Sequence, residues 1–422
     1  MATFDWHGER GDVDGLALLD RAPEHAGIDL AAVRGYRLAR VRSEMADAGI
    51  AAVILSDPVN IRYATGTRNM QVFTMRNAPS RYLVLTAERS VLFEFTGCAH
   101  LADGYETVDE VRPARTASFV AAGPMIADRE RAWAAETADL IESLVGRGAT
   151  VGLERLNAGA AIALAERGFR IVDAQAPVEL ARAIKSAEEM KCVRASLRAT
   201  EIGVHRLRDA IRPGLTEAEL WSVLHQAVIA QNGDYVETRL LNAGPRTNPW
   251  FQETSDRVIG ANELIALDTD VVGCHGYYSD FSRTFHAGPD RPTDAQRRLY
   301  MTALEQIAHN MAILRPGMSF RDYAERAWDI PERYHANRYY LSAHGCGMTG
   351  EYPYLYHRGD FPDAGYDGEI RAGMVICVES YIGEPGGGEG VKLEQQLLIT
   401  ETGTELLSDF PFEEGLMERV CA

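Results

Sequence analysis

The chain has 422 residues, too many for one ordinary core, so two domains are expected. Apolar residues make up 46%, which excludes a disordered chain, and 61 acidic against 43 basic residues give a net charge of −18. Such a surface repels phosphate backbones and anionic lipid, so neither nucleic acid nor a membrane is expected as a partner; most of the acidity serves solubility. Met1 to Leu30 carries Asp5, Glu9, Asp12 and Asp14 and has no basic segment followed by an apolar stretch, unlike a signal peptide. No apolar run approaches the roughly 18–20 residues that span a bilayer. Six cysteines without a C-x-x-C pair make neither a disulfide framework nor a zinc ribbon, and a reduced, cytoplasmic compartment is expected.

In chain order, Leu30 to Gly49 has apolar residues at helical spacing and stops at a glycine. Ala51 to Ser56 reads as a strand followed by an Asp57-Pro58 turn, and Tyr82–Thr86 and Ser90–Phe95 read as paired strands. The alternation continues to about Val178, which predicts a small α/β domain. From Ser186 the character changes. Helices are predicted over Ala187–Ile211 and Thr216–Gln231, split by Arg212-Pro213-Gly214, and over Ala295–Leu314 and Phe320–Ile330, split by Arg315-Pro316-Gly317. Thr216 is read as a simple cap with Glu217 and Glu219 in the first turn rather than as half of a capping box. Strand-like runs cover Val236–Leu241, Glu263–Asp270, Tyr277–His286, Met374–Tyr381 and Val391–Thr400. The whole is α+β, with a boundary near Ile184 to Ser186 and domains of residues 1–184 and 185–422.

Asp268, Asp270 and Asp280 fall in one strand-turn-strand segment, at even separations that place their carboxylates on one face apart from the turn. His344 (His-Gly-Cys-Gly), Glu379 (Cys-Val-Glu-Ser) and Glu394 (Lys-Leu-Glu-Gln) follow. Each acid is embedded in apolar sequence, where an unpaired charge is costly, and five converging acids could not all ionise without cations among them. Two divalent metal ions bridged by carboxylates would satisfy the set. With 61 acids some such order arises by chance, so the weight rests on the local sequence around each member.

Asn60-Ile-Arg-Tyr63-Ala-Thr-Gly66, Ala183-Ile-Lys185-Ser with Glu188-Glu189, Leu267-Asp268 through Asp280-Phe-Ser-Arg-Thr-Phe285, His344-Gly-Cys-Gly347 and Val-Lys-Leu-Glu394-Gln resemble the creatinase and aminopeptidase P family. The resemblance covers nearly the whole chain. It implies a pita-bread catalytic domain behind a creatinase-type N-terminal domain, Asp268, Asp270, Asp280, His344, Glu379 and Glu394 as ligands of two divalent ions, and a homodimer. An oxygen-rich site with one histidine suits iron, manganese, zinc or cobalt. Within the family the chain is most similar to the pita-bread dimethylsulfoniopropionate lyases, which share the extra aspartate matched by Asp268 beside Asp270 and a stretch like Glu237 to Glu253.

Peptidases of the family carry a histidine seven residues after the metal histidine, where Glu351 stands here, and another where Trp250 and Phe251 stand; both absences count against Xaa-Pro peptidase activity. The resembling lyases place a basic aspartate six residues after that histidine, where this chain has Gly350, leaving Glu351 as the candidate base. They also have a tryptophan where Phe73 stands; a phenyl face attracts a cation more weakly than indole. Tyr339 matches a tyrosine of the lyase pocket. The expected substrate is a small zwitterion or carboxylate, its cationic end lined by Phe73, Tyr339 and Trp250, with Tyr339 and Glu351 at the reacting end. The alternative is hydrolysis of a small amide or Xaa-Pro peptide with Glu379 as general base.

Other features are read as structural. Gly386-Gly-Gly388 has no Gly-Lys-Ser/Thr to make it a phosphate loop. Cys274 and Cys346 read as small buried apolar residues, and His275, His286 and His357 as structural or exposed. Arg239 and Arg246 are divided evenly between anchoring a carboxylate and pairing with surface acids.

Overall fold

The computed structural model describes residues 27–70 and 80–418, so Phe73 lies outside the described residues. The chain forms two compact units, which meet in sequence between Arg182 and Ala183.

In the first unit a six-stranded sheet has the order β4-β3-β2-β1-β5-β6, with β1 Ala52–Leu55, β2 Tyr82–Thr86, β3 Ser90–Glu94, β4 Glu110–Pro113, β5 Thr150–Leu153 and β6 Arg170–Asp173. β1 is parallel to β5 and antiparallel to β2. Trp133, Ala134, Ala138 and Ile141 of the helix Ile126–Val145 pack on Ile54, Tyr82, Val84 and Phe93. The helix Leu30–Asp47 is capped by Asp29, whose side chain accepts from Ala32 N at 3.0 Å. Asp57-Pro58 is not the expected turn. Asp57 caps the helix Pro58–Thr65, accepting from Val59 N at 2.8 Å, and proline at the first helical position has no amide to leave orphaned.

The second unit opens with the helices Ala187–Ala210 and Glu217–Ala230. Thr216 does form a capping box with Glu219: each side chain takes the other's backbone N–H, at 2.8 and 3.1 Å, correcting the simple-cap reading. The second pair is Asp294–Ile313 and Phe320–Arg326. The last helix stops short of Ile330 because Ala327 turns extended and Trp328 N–H donates to Asn310 Oδ1 of the neighbouring helix.

The strands are β7 Tyr235–Val236, β8 Leu241–Ala243, β9 Leu264–Asp268, β10 Val271–Val272, β11 Tyr278–Ser279, β12 Ser282–His286, β13 Ala343–Cys346, β14 Gly350–Leu355, β15 Val375–Gly383, β16 Gly390–Ile399 and β17 Thr404–Leu406. They make two three-stranded sheets, β11-β10-β7 and β12-β9-β8, and one of five strands, β14-β13-β15-β16-β17. Strand alternation positions the site. Ile376, Val378 and Ile382 of β15 and Val391, Leu393 and Leu397 of β16 turn to the core, where Tyr300, Ala303 and Ile307 of the helix Asp294–Ile313 meet them. Cys377, Glu379 and Tyr381, with Lys392, Glu394 and Gln396, therefore share the other face.

Candidate metal centre

Glu379 and Glu394 are direct partners across β15 and β16, and His344 of β13 lies opposite Cys377. β9 and β12 bring Asp268 opposite Ser282. The three aspartates do not lie along one pleat as expected. β9 ends at Asp268, Asp270 sits in the left-handed region at φ 41°, and β10 continues in a different sheet. The kink nevertheless brings the acids together. Ligand atoms of Asp268, Asp270 and Asp280 lie within 4.8 Å of one another, as do those of Asp268, Glu379 and Glu394, and those of Asp280, His344, Cys377 and Glu394. These overlapping groups share Asp268, Asp280 and Glu394, the pattern two adjacent cations need. All six expected ligands are buried.

His344 Nδ1 lies 2.9 Å from the Gly345 carbonyl, a contact that makes Nδ1 the donor and turns Nε2 toward the acids, 3.2 Å from Glu379 Oε1 and 3.5 Å from Asp280 Oδ2 and Glu394 Oε1. Asp280 Oδ1, Glu379 Oε1 and Glu394 Oε1 are buried without a hydrogen-bond partner. Unsatisfied buried carboxylate oxygens are costly, and three on the residues that meet one imidazole fit a divalent cation.

One cation is already built in. Lys392, fully buried, places Nζ 2.8 Å from Glu379 Oε2 and 3.1 Å from both Asp268 Oδ2 and Glu394 Oε2. Ser282 Oγ lies 2.6 Å from Asp268 Oδ1 and 2.8 Å from Glu394 Oε2. Five carboxylates against one ammonium leave four negative charges, which two divalent ions would balance. Asp270 is held by the hydroxyls of Tyr278, at 2.6 Å, and Thr238. Without metal, burial and then the Asp268 charge push the Asp270 carboxyl up to about 8. Burial and the neighbouring acids also raise Asp268 and Asp280. At His344 burial opposes the charged ring, but Glu379 and its neighbours outweigh it and raise the pKa. Lys392 was not singled out in the sequence; its two-residue spacing from Glu394 carried the signal.

The expected substrate contacts separate. Tyr339 does meet the cluster, its ring centroid 4.9 Å from Lys392 Nζ. Trp250 is buried and stacks on Tyr381 at 5.9 Å. Its neighbour Phe251 is instead 54% exposed at φ 69°, with its ring 5.1 Å from Tyr339. Tyr340 is 5.0 Å from Tyr339 and 6.3 Å from Tyr354, which lies 6.4 Å from the His344 ring. Phe251, Tyr339, Tyr340 and Tyr354 thus form an aromatic wall leading to the acids.

Glu351 does not join them. A register shift after His344 sets Glu351 opposite Gly345, on the face away from the imidazole. Its carboxylate pairs with Lys185 Nζ at 2.5 Å, both side chains being inaccessible to solvent. A Cβ on Gly347 would come within 2.2 Å of Glu351 Oε1, so a larger residue there would have to displace the Glu351 carboxylate. Gly350 faces the site, where a Cβ would sit 3.8 Å from His344 Cε1 in ordinary contact.

Arg246 Nε lies 3.2 Å from both oxygens of buried Glu217, and Arg239 pairs with Glu253 at 3.0 Å while lying 5.6 Å over Trp221, so both brace the Gly244–Glu253 loop. His357 is buried with Nε2 3.0 Å from the Tyr339 carbonyl, and desolvation lowers its pKa to about 4.

The fold and the buried acid–histidine cluster define a candidate dinuclear metalloenzyme. Residues 191–401 match Metallopeptidase family M24, and residues 37–184 match the Creatinase/Prolidase N-terminal domain. The chain is 34% identical to dimethylsulfoniopropionate lyase DddP of Roseovarius nubinhibens, over 93% of this chain and 89% of that one. It is 31% identical to its counterpart from Roseobacter denitrificans, over 99% and 91%. Among solved structures, the Xaa-Pro dipeptidase from Bacillus anthracis superposes with a TM-score of 0.70 at 22% identity, covering 90% of this chain and 99% of that one. Dipeptidase PepE from Mycobacterium ulcerans gives 0.72 at 22%, covering 92% and 98%. This chain belongs to the M24 family and has its pita-bread fold with a creatinase-type N-terminal domain. Among the described residues no helix is long and apolar enough to cross a membrane.

Proposed function

We propose that this protein is a metal-dependent lyase that cleaves the C–S bond of dimethylsulfoniopropionate, or a similar small sulfonium carboxylate, to dimethyl sulfide and acrylate. The observation that carries the reading is the aromatic wall of Phe251, Tyr339, Tyr340 and Tyr354 beside the acid–histidine cluster. A ligand with a cation at one end and a carboxylate at the other matches that juxtaposition. The identity to two lyases over nine-tenths or more of this chain supports it. Two divalent ions held by Asp268, Asp270, Asp280, His344, Glu379 and Glu394 would supply charge to hold the substrate carboxylate, stabilise the negative charge developing on the adjacent carbon, and offset the acids around Tyr339.

This chain's residues would do the rest. The aromatic faces orient the sulfonium and keep water from it. The proton leaves the carbon next to the carboxylate for a Tyr339 oxygen that has first given up its own proton to solvent, the C–H electrons form the double bond, and the thioether departs with the C–S pair. Glu351, the expected base, faces away and is tied to Lys185, whereas Tyr339 borders the cluster, so Tyr339 is proposed as the proton acceptor; burial and the nearby acids hold its phenol protonated until the cations offset them. The hydrolytic alternative, an M24 hydrolase of Xaa-Pro peptides or small amides, is favoured by the orphaned Oε1 of Glu379, which could take a proton from water. It lacks imidazoles where Glu351, Trp250 and Phe251 stand. Parallel assays of one metal-loaded preparation with dimethylsulfoniopropionate and an Xaa-Pro dipeptide separate the two: thioether release without peptide cleavage supports the lyase, and the reverse supports the hydrolase.

A further inference from the structure

Among the described residues, the acid–histidine groups hold one further potential donor besides the six expected ligands. Cys377 lies two residues before Glu379 on β15, on the same face, directly opposite His344 on one side and Gln396 on the other. Its sulfur, the Asp280 carboxylate, a His344 ring nitrogen and the Glu394 carboxylate lie within 4.8 Å of one another. The thiol is fully buried, with the Asp280 carbonyl as a distant partner at 3.6 Å and Cys346 beside it. Asp280 Oδ1 and Glu394 Oε1, in the same group, are buried with no hydrogen-bond partner, an independent sign that the space they face takes a cation. A hydrophobic side chain would fill this position on the sheet equally well; a sulfur there adds a soft donor to a hard, oxygen-rich set.

We propose that Cys377 is a sulfur ligand of the cation beside His344. Cys377 then adds a sulfur to the Asp280, His344, Glu379 and Glu394 donors of that position, which prefers borderline and soft divalent ions (cobalt, zinc, cadmium) over hard ones such as manganese. On binding, the S–H bond breaks, its proton leaves to solvent, and a sulfur–metal bond forms without change of oxidation state. The inference rests on the metal-centre reading but not on which reaction the centre performs.

Cobalt(II) titration of the metal-free protein, followed by absorption and by equilibrium dialysis, tests it. The expected result is an intense near-ultraviolet sulfur-to-cobalt charge-transfer band that grows with the first equivalents, survives in Cys346→Ser and disappears in Cys377→Ser while cobalt still binds. In competition, Cys377→Ser lowers the preference for cadmium over manganese by about tenfold or more, the scale of perturbing a metal's immediate surroundings. A wild-type protein that binds two cobalt ions with no such band overturns the proposal, and this needs no variant to fold. A band lost in Cys346→Ser but kept in Cys377→Ser overturns it as well. Failure of the wild-type protein to bind cobalt at all would overturn the metal-centre reading together with it.

Discussion

Glu379 and Glu394 face each other across two antiparallel strands, and the Lys392 ammonium lies 2.8 and 3.1 Å from them. Two adjacent buried carboxylates repel, and an ammonium between them relieves part of that cost. Lys392→Met is therefore expected to destabilise the metal-free protein by about 3–5 kcal/mol, the range for removing one partner of a buried pair. Denaturant unfolding checks this, and added divalent metal should recover part of the loss. An unchanged midpoint would mean the acids are already neutral without Lys392.

The pKa shifts set a pH dependence. Folded, metal-free Asp270 titrates at about 8, far above the unfolded value near 4. A group with a raised folded pKa stabilises fully below its unfolded pKa, and that stabilisation is lost as pH rises through the folded one. The directions at Asp268, Asp280 and His344 have the same sign. Chelator-treated protein should thus melt at progressively lower temperature from pH 5 to 8, and metal should raise the melting temperature most at pH 8. A metal-free protein that is more stable at pH 8 than at pH 6 would contradict this.

Tyr339 and Glu351 can be separated by substitution. Tyr339→Phe should slow turnover on the order of 100-fold or more, typical of losing a positioned proton-transfer group, with little change in melting temperature. Glu351→Gln should act in the opposite way, costing several kcal/mol because Lys185 is left buried and unpaired, with turnover per folded molecule nearly unchanged. The reverse pattern would restore Glu351 as the base.

Position 350 offers a gain-of-function test. A side chain there meets the His344 ring at ordinary contact distance. Gly350→Asp should place a carboxylate beside the reacting carbon and raise the elimination rate by about tenfold or more. A fall in rate with metal content intact would show that the open space is itself needed for substrate.

The aromatic wall should recognise charge rather than bulk. Phe251→Ala and Tyr340→Ala are each expected to weaken an unreactive quaternary-ammonium carboxylate by about 2- to 30-fold, the range of one cation–π contact, and to leave propionate unaffected. Calorimetric titration of metal-loaded protein measures both.

Much of the site was legible in sequence because its geometry is that of strands. Neighbouring motifs pointed to Asp268, Asp270, Asp280, His344, Glu379 and Glu394, and the register of β15 on β16 puts Glu379 and Glu394 on one face. Where local backbone departs from the ideal pleat, the reading broke down. The left-handed turn at Asp270 splits one expected strand between two sheets, and the register shift after His344 turns Glu351 away from the ring it follows. Lys392 hid because a lysine in sequence reads as surface, and only three-dimensional pairing makes a buried ammonium tolerable. Trp250 and Phe251 part because adjacent residues on a tight loop point in unrelated directions, one into the core and one into solvent.

Headspace detection of dimethyl sulfide from metal-loaded protein given dimethylsulfoniopropionate, beside an Asp280→Ala control, decides whether this protein is a lyase of that substrate. Release that is abolished in the control is expected. A folded, metal-loaded protein that releases none would contradict it and leave the hydrolase reading.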